Sequence, residues 1–327
     1  MPRSLNRRAL LALLGASAAA PFARAQSTGT FQPTRAVRIL SPQQPGGSTD
    51  AVLRPLAQKL SELWGQPVLV DNRPGGGTLI ATQAVVQAAP DGHTLGLAIN
   101  ALTINPSLRQ DLPYDTLRDI TPLTQIGNAT IAFVVHPSLG VATLPEFVAL
   151  AKAKPGALSW ASLGIGTGGH ITGELLCKRA GIQAVHVPFT GSSGAYRELL
   201  PGRVHAAFVV LESAVPHLQA GSLKLLAVSD RVRNPRFPDT PSLDESHPGL
   251  AYESLLGLFG PARMPAETVQ QLHADVRTAL RDPAVRQQLD QQSIAVIAST
   301  PAEFAAVLRR EIEHWRGAVR ESGARLS

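Results

Sequence analysis

The chain alternates short apolar runs with stretches in which apolar residues recur every three or four positions. "AVRIL", "PVLVDN" and "TLGLAIN" are β-rich runs of strand length, and between them "DAVLRPLAQKLSELWG" and "TLIATQAVVQAA" carry the spacing of amphipathic helices. Strands that alternate with helices in this way build a mainly parallel sheet with helices on its faces. Asp50 is the expected N-cap of the first helix and Gly65 its stop.

After "QIGNATIAFVVHP" the alternation restarts, with a helix from Thr143 and strands at "LSWASL", "AVHVPF", "VHAAFVV" and "LKLLAVS". This predicts a second α/β unit. Thr143-Leu144-Pro145-Glu146 and Thr300-Pro301-Ala302-Glu303 match the capping box and fix two helix starts. Residues 231–249, rich in Pro, Asp and Ser, read as a surface connection, and "YESLLGLFGP" reads as a return crossing. The helices "AETVQQLHADVRTALRD" and "PAEFAAVLRREIEHWRGAVRE" are then expected to pack back on the first unit. The expected architecture is a two-lobed α/β fold with two crossings and a cleft between the lobes. Lobe 1 takes residues 26–130 and 255–327, and lobe 2 takes 131–254.

The first 25 residues stand outside this pattern. Arg3, Arg7 and Arg8 precede an apolar stretch, Ala9 to Ala20, too short to span a bilayer, and Ala23-Arg24-Ala25 offers a small-residue cleavage site. This is an export signal cleaved near Ala25, which places the mature chain in the periplasm. Asn6-Arg7-Arg8-Ala9-Leu10-Leu11 half-matches a twin-arginine signal, so the general and twin-arginine routes both stay open. Losing the signal lowers the formal charge from +6 to about +2. The remaining Lys and Arg residues are dispersed, which excludes a nucleic-acid partner. Cys177 is the single cysteine, so an intramolecular disulfide is impossible, and its helical surroundings read as a buried, inert thiol. Histidines occur singly, without metal-ligand spacing, and His170 is the exception to test.

Three segments place Gly, Ser and Thr between a strand and a helix, where ligands bind in α/β sheets. In "SPQQPGGSTD" these are Pro45, Gly46, Gly47, Ser48 and Thr49. In "SLGIGTGGHITGELL" they are Gly164, Gly166, Thr167, Gly168 and His170, and in "PFTGSSGAYRELL" Thr190 and Gly191. Bare backbone beside a helix N-terminus attracts anions without a cationic side chain. Bulky residues at Gly47 and Gly166 are therefore expected to block ligand approach. Trp160, beside the second loop, is expected near the meeting of the lobes, with Trp64 and Trp315 remote. Gly164-x-Gly166-x-x-Gly169 also matches the dinucleotide fingerprint, although "AVHVPFT" lacks the acidic residue that should follow. That keeps an exported NAD(P)-dependent oxidoreductase as an alternative. No GxSxG elbow or Ser/His/Asp constellation is present.

The segments "PGGSTD", "VDNRPGGGTLIATQAVVQAAPDGHTL", "INPSL", "LPYDTLRDITPL", "VPFTGSSGAYRELLPGRVHAAF" and "LAVSDRVRNPRFPDTPSL" resemble the Bug or TctC-type extracytoplasmic solute receptors of tripartite tricarboxylate transporters. The resemblance covers nearly the whole mature chain. It implies a type II periplasmic-binding-protein fold that closes on a small organic carboxylate and hands it to integral membrane transporter subunits; a monomer without a cofactor is expected, although no residue pattern speaks to the oligomeric state. A sensory receptor of the same fold is the nearest alternative. The resemblance also implies that the loops Pro45 to Thr49 and Gly164 to His170, with Thr190 and Gly191, hold the carboxylate. The chain departs from its relatives at Val209 and Val210, where many have Asp-Asn, and at Leu255, where many have Trp. These changes imply a more apolar distal pocket.

Overall fold

The computed structural model describes residues 31–324, so the expected export signal, residues 1–25, lies outside the described residues. Strand β1 (Val37–Ser41) leads through α1 (Ser48–Trp64) to β2 (Val68–Asn72), then through α2 (Leu79–Val86) to β3 (Thr94–Ala98). Helix α3 (Asn100–Leu108) and strand β4 (Ile120–Ala129) follow. Past Thr130, β5 (Ile131–Val135) opens a second run: α4 (Leu144–Ala153), β6 (Leu158–Ser162), α5 (Gly168–Ala180), β7 (Ala184–Pro188), α6 (Ser192–Leu199), β8 (Ala206–Val210), α7 (Leu211–Gln219) and β9 (Lys224–Val228). A short helix α8 (Leu243–Ser246) precedes the return on β10 (Ser254–Pro261). The chain ends with α9 (Ala266–Arg281), α10 (Pro283–Gln291), β11 (Ala295–Val296) and α11 (Pro301–Ser322).

These strands form two sheets, ordered β11-β4-β10-β3-β1-β2 and β7-β6-β8-β5-β9. The strand–helix alternation yields parallel trios, β2-β1-β3 and β7-β6-β8. The strands that carry the chain between lobes, β4, β5 and β10, pair antiparallel. Each sheet is therefore mixed rather than mainly parallel, because a chain that crosses over and returns must run both ways.

Helix α3 was not expected from the pattern. All of its residues from Asn100 to Asn105 are buried, so it has no polar face to produce a stripe. In lobe 2, Phe133 packs on Phe147 and Phe208 at ring separations of 5.2 and 4.8 Å, and Trp160 meets Phe208 at 5.9 Å. Trp160 is thus a core residue of that lobe, 2% exposed, and not a marker of the lobe junction.

Thr300 and Glu303 close a full capping box on α11. Thr143 caps α4 through the Glu146 amide, but Glu146 returns to the amide of Ala142 rather than to Thr143. Helix α11 packs on α3 and β4 of lobe 1 and also reaches α5 of lobe 2. There Arg179 grips Glu321 with two bonds of 2.6 and 2.8 Å.

Candidate ligand-binding cleft

The lobe 1 wall begins where β1 turns into α1. Gly47, not Asp50, is the N-cap, with an extended backbone and no side-chain cap. Asp50 sits inside the first turn, where its carboxylate accepts from the Gly46 amide at 2.9 Å, Asn72 Nδ2 at 2.8 Å and Arg54 at 2.7 Å. Burial alone would raise its pKa, but the hydrogen bonds from Asn72, Gly46 and Arg54 outweigh it and hold the pKa below the usual value. The acid therefore fixes the loop from behind. The amides of Ser48 and Thr49, in the first turn, have no intrahelical acceptor. Helix α3 presents its own first turn beside them. Asn100 donates from Nδ2 to the Glu253 carbonyl and accepts from the Leu255 amide, both at 3.1 Å, which ties this helix start to the return crossing.

The lobe 2 wall begins where β6 turns into α5. Thr167 is the N-cap; its hydroxyl accepts from the His170 amide and donates to the Gly164 carbonyl at 2.7 Å. His170 Nδ1 accepts from the Gly166 amide at 3.2 Å. Its ring stacks on His186 at 4.5 Å, and His186 stacks on Trp160 at 4.3 Å. Burial pulls the His170 pKa down to about 4; burial and the neighbouring His170 pull His186 down to about 3. Both rings are neutral at neutral pH, so His170 brings no positive charge to the loop. Potential ligand atoms of His170, Glu174 and His186 lie within 4.8 Å of one another. The stacked imidazoles present their faces to each other rather than their lone pairs.

The two walls meet across the cleft, where the Gln44 amide donates to the Thr190 carbonyl at 3.3 Å. Between them lies an inner cavity of about 50 Å³. Its polar lining comes from Ser48 and Thr49 of α1, Asn100 of α3, Thr167, Gly168 and Gly169 at the start of α5, and from Ser254 of β10 and Gln292. Three helix N-termini therefore converge on one small space, each contributing free amides and partial positive charge. Neither a cationic nor an acidic side chain lines it. The Tyr252 hydroxyl and the Gln43 amide oxygen, two further polar groups of its wall, are buried without a hydrogen-bond partner. Burial, with Asp230 nearby, raises the Tyr252 pKa and keeps its hydroxyl a donor. An outer chamber of about 270 Å³ adjoins the inner cavity and shares Gln43, Ile99, Leu163 and Thr167 with it.

Of the residues expected from sequence, Ser48, Thr49, Thr167 and Gly168 line the inner cavity, and Gly164, Thr167 and Thr190 line the outer chamber. Pro45, Gly46, Gly47, Gly166, His170 and Gly191 line neither. They shape the loops instead. Gly46 donates to Asp50, Gly47 and Gly191 start helices, and His170 holds Gly166. Gly166, at φ +78°, faces Asn105 and Leu108 of the other lobe at 3.1 and 3.2 Å from where a Cβ would stand. Gln43, Asn100 and Tyr252 were missed. Asn100 follows a strand and opens a helix as the expected residues do, but no glycine flags it. Val210 lines the inner cavity, whereas Val209 and Leu255 point into the cores of the lobes.

The family model described as tripartite tricarboxylate transporter family receptor matches residues 52–324. The chain belongs to this receptor family. Protein BugT of Bordetella pertussis is 31% identical over 98% of this chain and 100% of its own length. MatC from Rhodopseudomonas palustris, solved with bound malate, is 29% identical with a TM-score of 0.83, over 88% of this chain and 99% of that one. An R. palustris protein solved with adipate is 29% identical with a TM-score of 0.84, over 89% and 98%. The receptor accordingly has the two-lobed periplasmic-binding-protein fold and is not an enzyme. Its Gly164-x-Gly166-x-x-Gly169 run forms a helix start and a lobe contact. Among the described residues no helix is long and apolar enough to cross a membrane.

Proposed function

We propose that the receptor captures a small organic carboxylate in the inner cavity and delivers it to the membrane subunits of a tripartite transporter. The observation that carries this reading is the convergence of three helix N-termini, with the Tyr252 hydroxyl, on a cavity without any ionisable group of opposite or like charge. Such a site favours a carboxylate over a neutral group because each hydrogen bond to a charged acceptor contributes more. Malate and adipate in the two related structures support the same ligand class. The mature receptor works in the periplasm as a monomer, with residues 1–25 as its export signal. Lobe 1 comprises 26–130 and 255–327, lobe 2 comprises 131–254, and ligand binding holds them closed for recognition by the membrane subunits. The ligand is gripped by Ser48, Thr49, Thr167 and Gly168, with Gly164 and Thr190 at the mouth and Pro45, Gly46, Gly47, Gly166, His170 and Gly191 shaping the loops.

The test uses protein unfolded, dialysed and refolded to strip retained ligand. A carboxylate library is expected to contain a stabiliser whose methyl ester binds at least about tenfold more weakly, the loss of one charge-assisted bond. At about a hundred times its dissociation constant the acid adds roughly 2.7 kcal/mol, a melting shift of several degrees. Tyr252→Phe should weaken the acid about tenfold and leave the weak ester unchanged. Equal binding of acid and ester would refute the anion site. For delivery, uptake of the identified acid into vesicles carrying the membrane subunits should require the receptor, and receptor-independent uptake would refute that step.

A further inference from the structure

We infer that Ser293, Glu212 and Arg236 form a latch between the lobes that favours the closed state before any ligand arrives, so that residues outside the cavity help set the receptor's affinity. The inference rests on the two lobes closing and not on the charge of the ligand. Glu212 lies in the first turn of α7 in lobe 2, two residues past Val210 of the inner cavity wall. Its side chain is only 5% exposed, and its Oε1 accepts from Arg236 Nη1 at 2.6 Å and from the Ser293 hydroxyl. Arg236 Nη1 also donates to Ser293 Oγ at 2.8 Å, which closes a triangle. Arg236 is held on its own side by Asn234, which accepts from the Arg236 amide and donates to Thr130 at the first crossing. Ser293 comes from lobe 1. It lies between α10, which packs on α1, and β11, which pairs with β4.

Two features set this cluster apart from an exposed surface ion pair. A nearly buried carboxylate depends on its partners, because little water reaches it. Ser293 also has φ +48°, a conformation that favours glycine, yet it keeps a side chain there whose hydroxyl crosses to the other lobe. None of the three residues lines either chamber, but Gln292 and Ile294 on both sides of Ser293 line the inner cavity. The triangle therefore stands at the rim of the ligand site. A hydrogen bond is lost beyond about 3.5 Å, so a hinge motion that parts α7 from the turn between α10 and β11 breaks both Ser293 bonds and leaves the Arg236–Glu212 pair within lobe 2. The closed state alone keeps all three contacts. A bond made in only one of two states shifts their ratio by its full strength, about tenfold for a hydroxyl on a carboxylate.

The experiment measures the distance between the lobes by pulsed dipolar electron paramagnetic resonance on stripped, unliganded receptor, with spin labels at Q110C and S193C in a C177S background. Gln110 and Ser193 are exposed and lie close in sequence to Arg109 and Thr190, on the two walls of the outer chamber. The receptor with native Ser293 should populate a short and a long distance. S293G, in which glycine accepts the backbone angle and the hydroxyl is gone, should lower the short-to-long ratio about tenfold. S293A removes the same hydroxyl with less backbone freedom and should match it. Melting curves verify that each variant folds. Equal distance distributions with Ser, Gly and Ala at position 293, whether all short or all long, would overturn the inference. A lower melting temperature with an unchanged ratio would do the same, because the triangle would then brace the fold without acting on closure. The carboxylate reading stands in either case, since no ligand enters the measurement.

Discussion

In lobe 1 the loop entering α1 is held by a charge: Asp50 gathers the Gly46 amide, Asn72 and Arg54 behind the cleft. In lobe 2 the loop entering α5 is held by neutral groups, the Thr167 hydroxyl on the Gly164 carbonyl and the His170 ring on the Gly166 amide. Both scaffolds present first-turn amides to the same cavity. The pKa of Asp50 is lowered, so its contribution is complete above the ordinary carboxylate value and is lost as pH falls through the lower folded one. The pKa of His170 is also depressed, to about 4, so its contribution is complete above the unfolded value near 6.5 and declines below it. Mild acid therefore acts on lobe 2 while leaving the lobe 1 loop intact.

The largest expected difference between the lobes concerns their glycines. Gly166→Val places a branched side chain at positive φ and wedges it against Asn105 and Leu108, so closure is obstructed and ligand affinity should fall at least about a hundredfold. Gly47 has φ −88°, and its nearest neighbour would be the Gln44 carbonyl at an ordinary 3.5 Å. Gly47→Val should therefore bind within about threefold of wild type, contrary to the equal effect expected from sequence. Calorimetry on the two variants decides it, and similar losses for both would erase the contrast.

Acid comes next. Between pH 7 and pH 5 the depressed pKa of His170 should remove about 2 kcal/mol, seen as a melting temperature lower by several degrees. H170N keeps an acceptor near the Gly166 amide and should remove the His170 share of the slope, leaving the share that the depressed His186 contributes, whereas D50N should leave the slope in that range unchanged. A wild-type melting temperature that is constant from pH 7 to pH 5 would contradict the neutral-ring scaffold.

The smallest effect is optical. Trp315 packs on Tyr252 at 5.5 Å, and Tyr252 forms part of the inner cavity wall. Trp160 stacks within lobe 2. A ligand-dependent change in emission should therefore survive Trp160→Phe and vanish in Trp315→Phe; the opposite result would return the reporter to the position expected from sequence.

The strands were legible because each is a short apolar run between turn residues, and "YESLLGLFGP" is strand β10 itself. The helix starts at Thr143 and Thr300 were legible because capping is local chemistry. Asp50 was misplaced because Asp is both a good cap and a good first-turn acid, and only the positions of Asn72 and Arg54 separate the two roles. In the cleft, glycine and hydroxyl runs disclosed Ser48, Thr49, Thr167 and Gly168 as cavity lining. Tyr252 and Asn100 were not legible, since each reaches its cavity only after the crossing or the buried α3 has been placed in three dimensions.

The order in which the strands appear along the chain bears on how the receptor is made. All five strands of the lobe 2 sheet come from the continuous stretch between Ile131 and Val228. The lobe 1 sheet leaves a gap between β3 and β4 that only β10 fills, and the chain supplies β10 after lobe 2 is complete. A chain emerging N-terminus first can assemble lobe 2 early, while the edges of β3 and β4 stand unpaired until Ser254 to Pro261 arrives. Unpaired edges are where chains aggregate, and pairings distant in sequence form slowly. The half-built lobe 1, rather than any loop of the binding site, is the state from which the nascent receptor most needs protection.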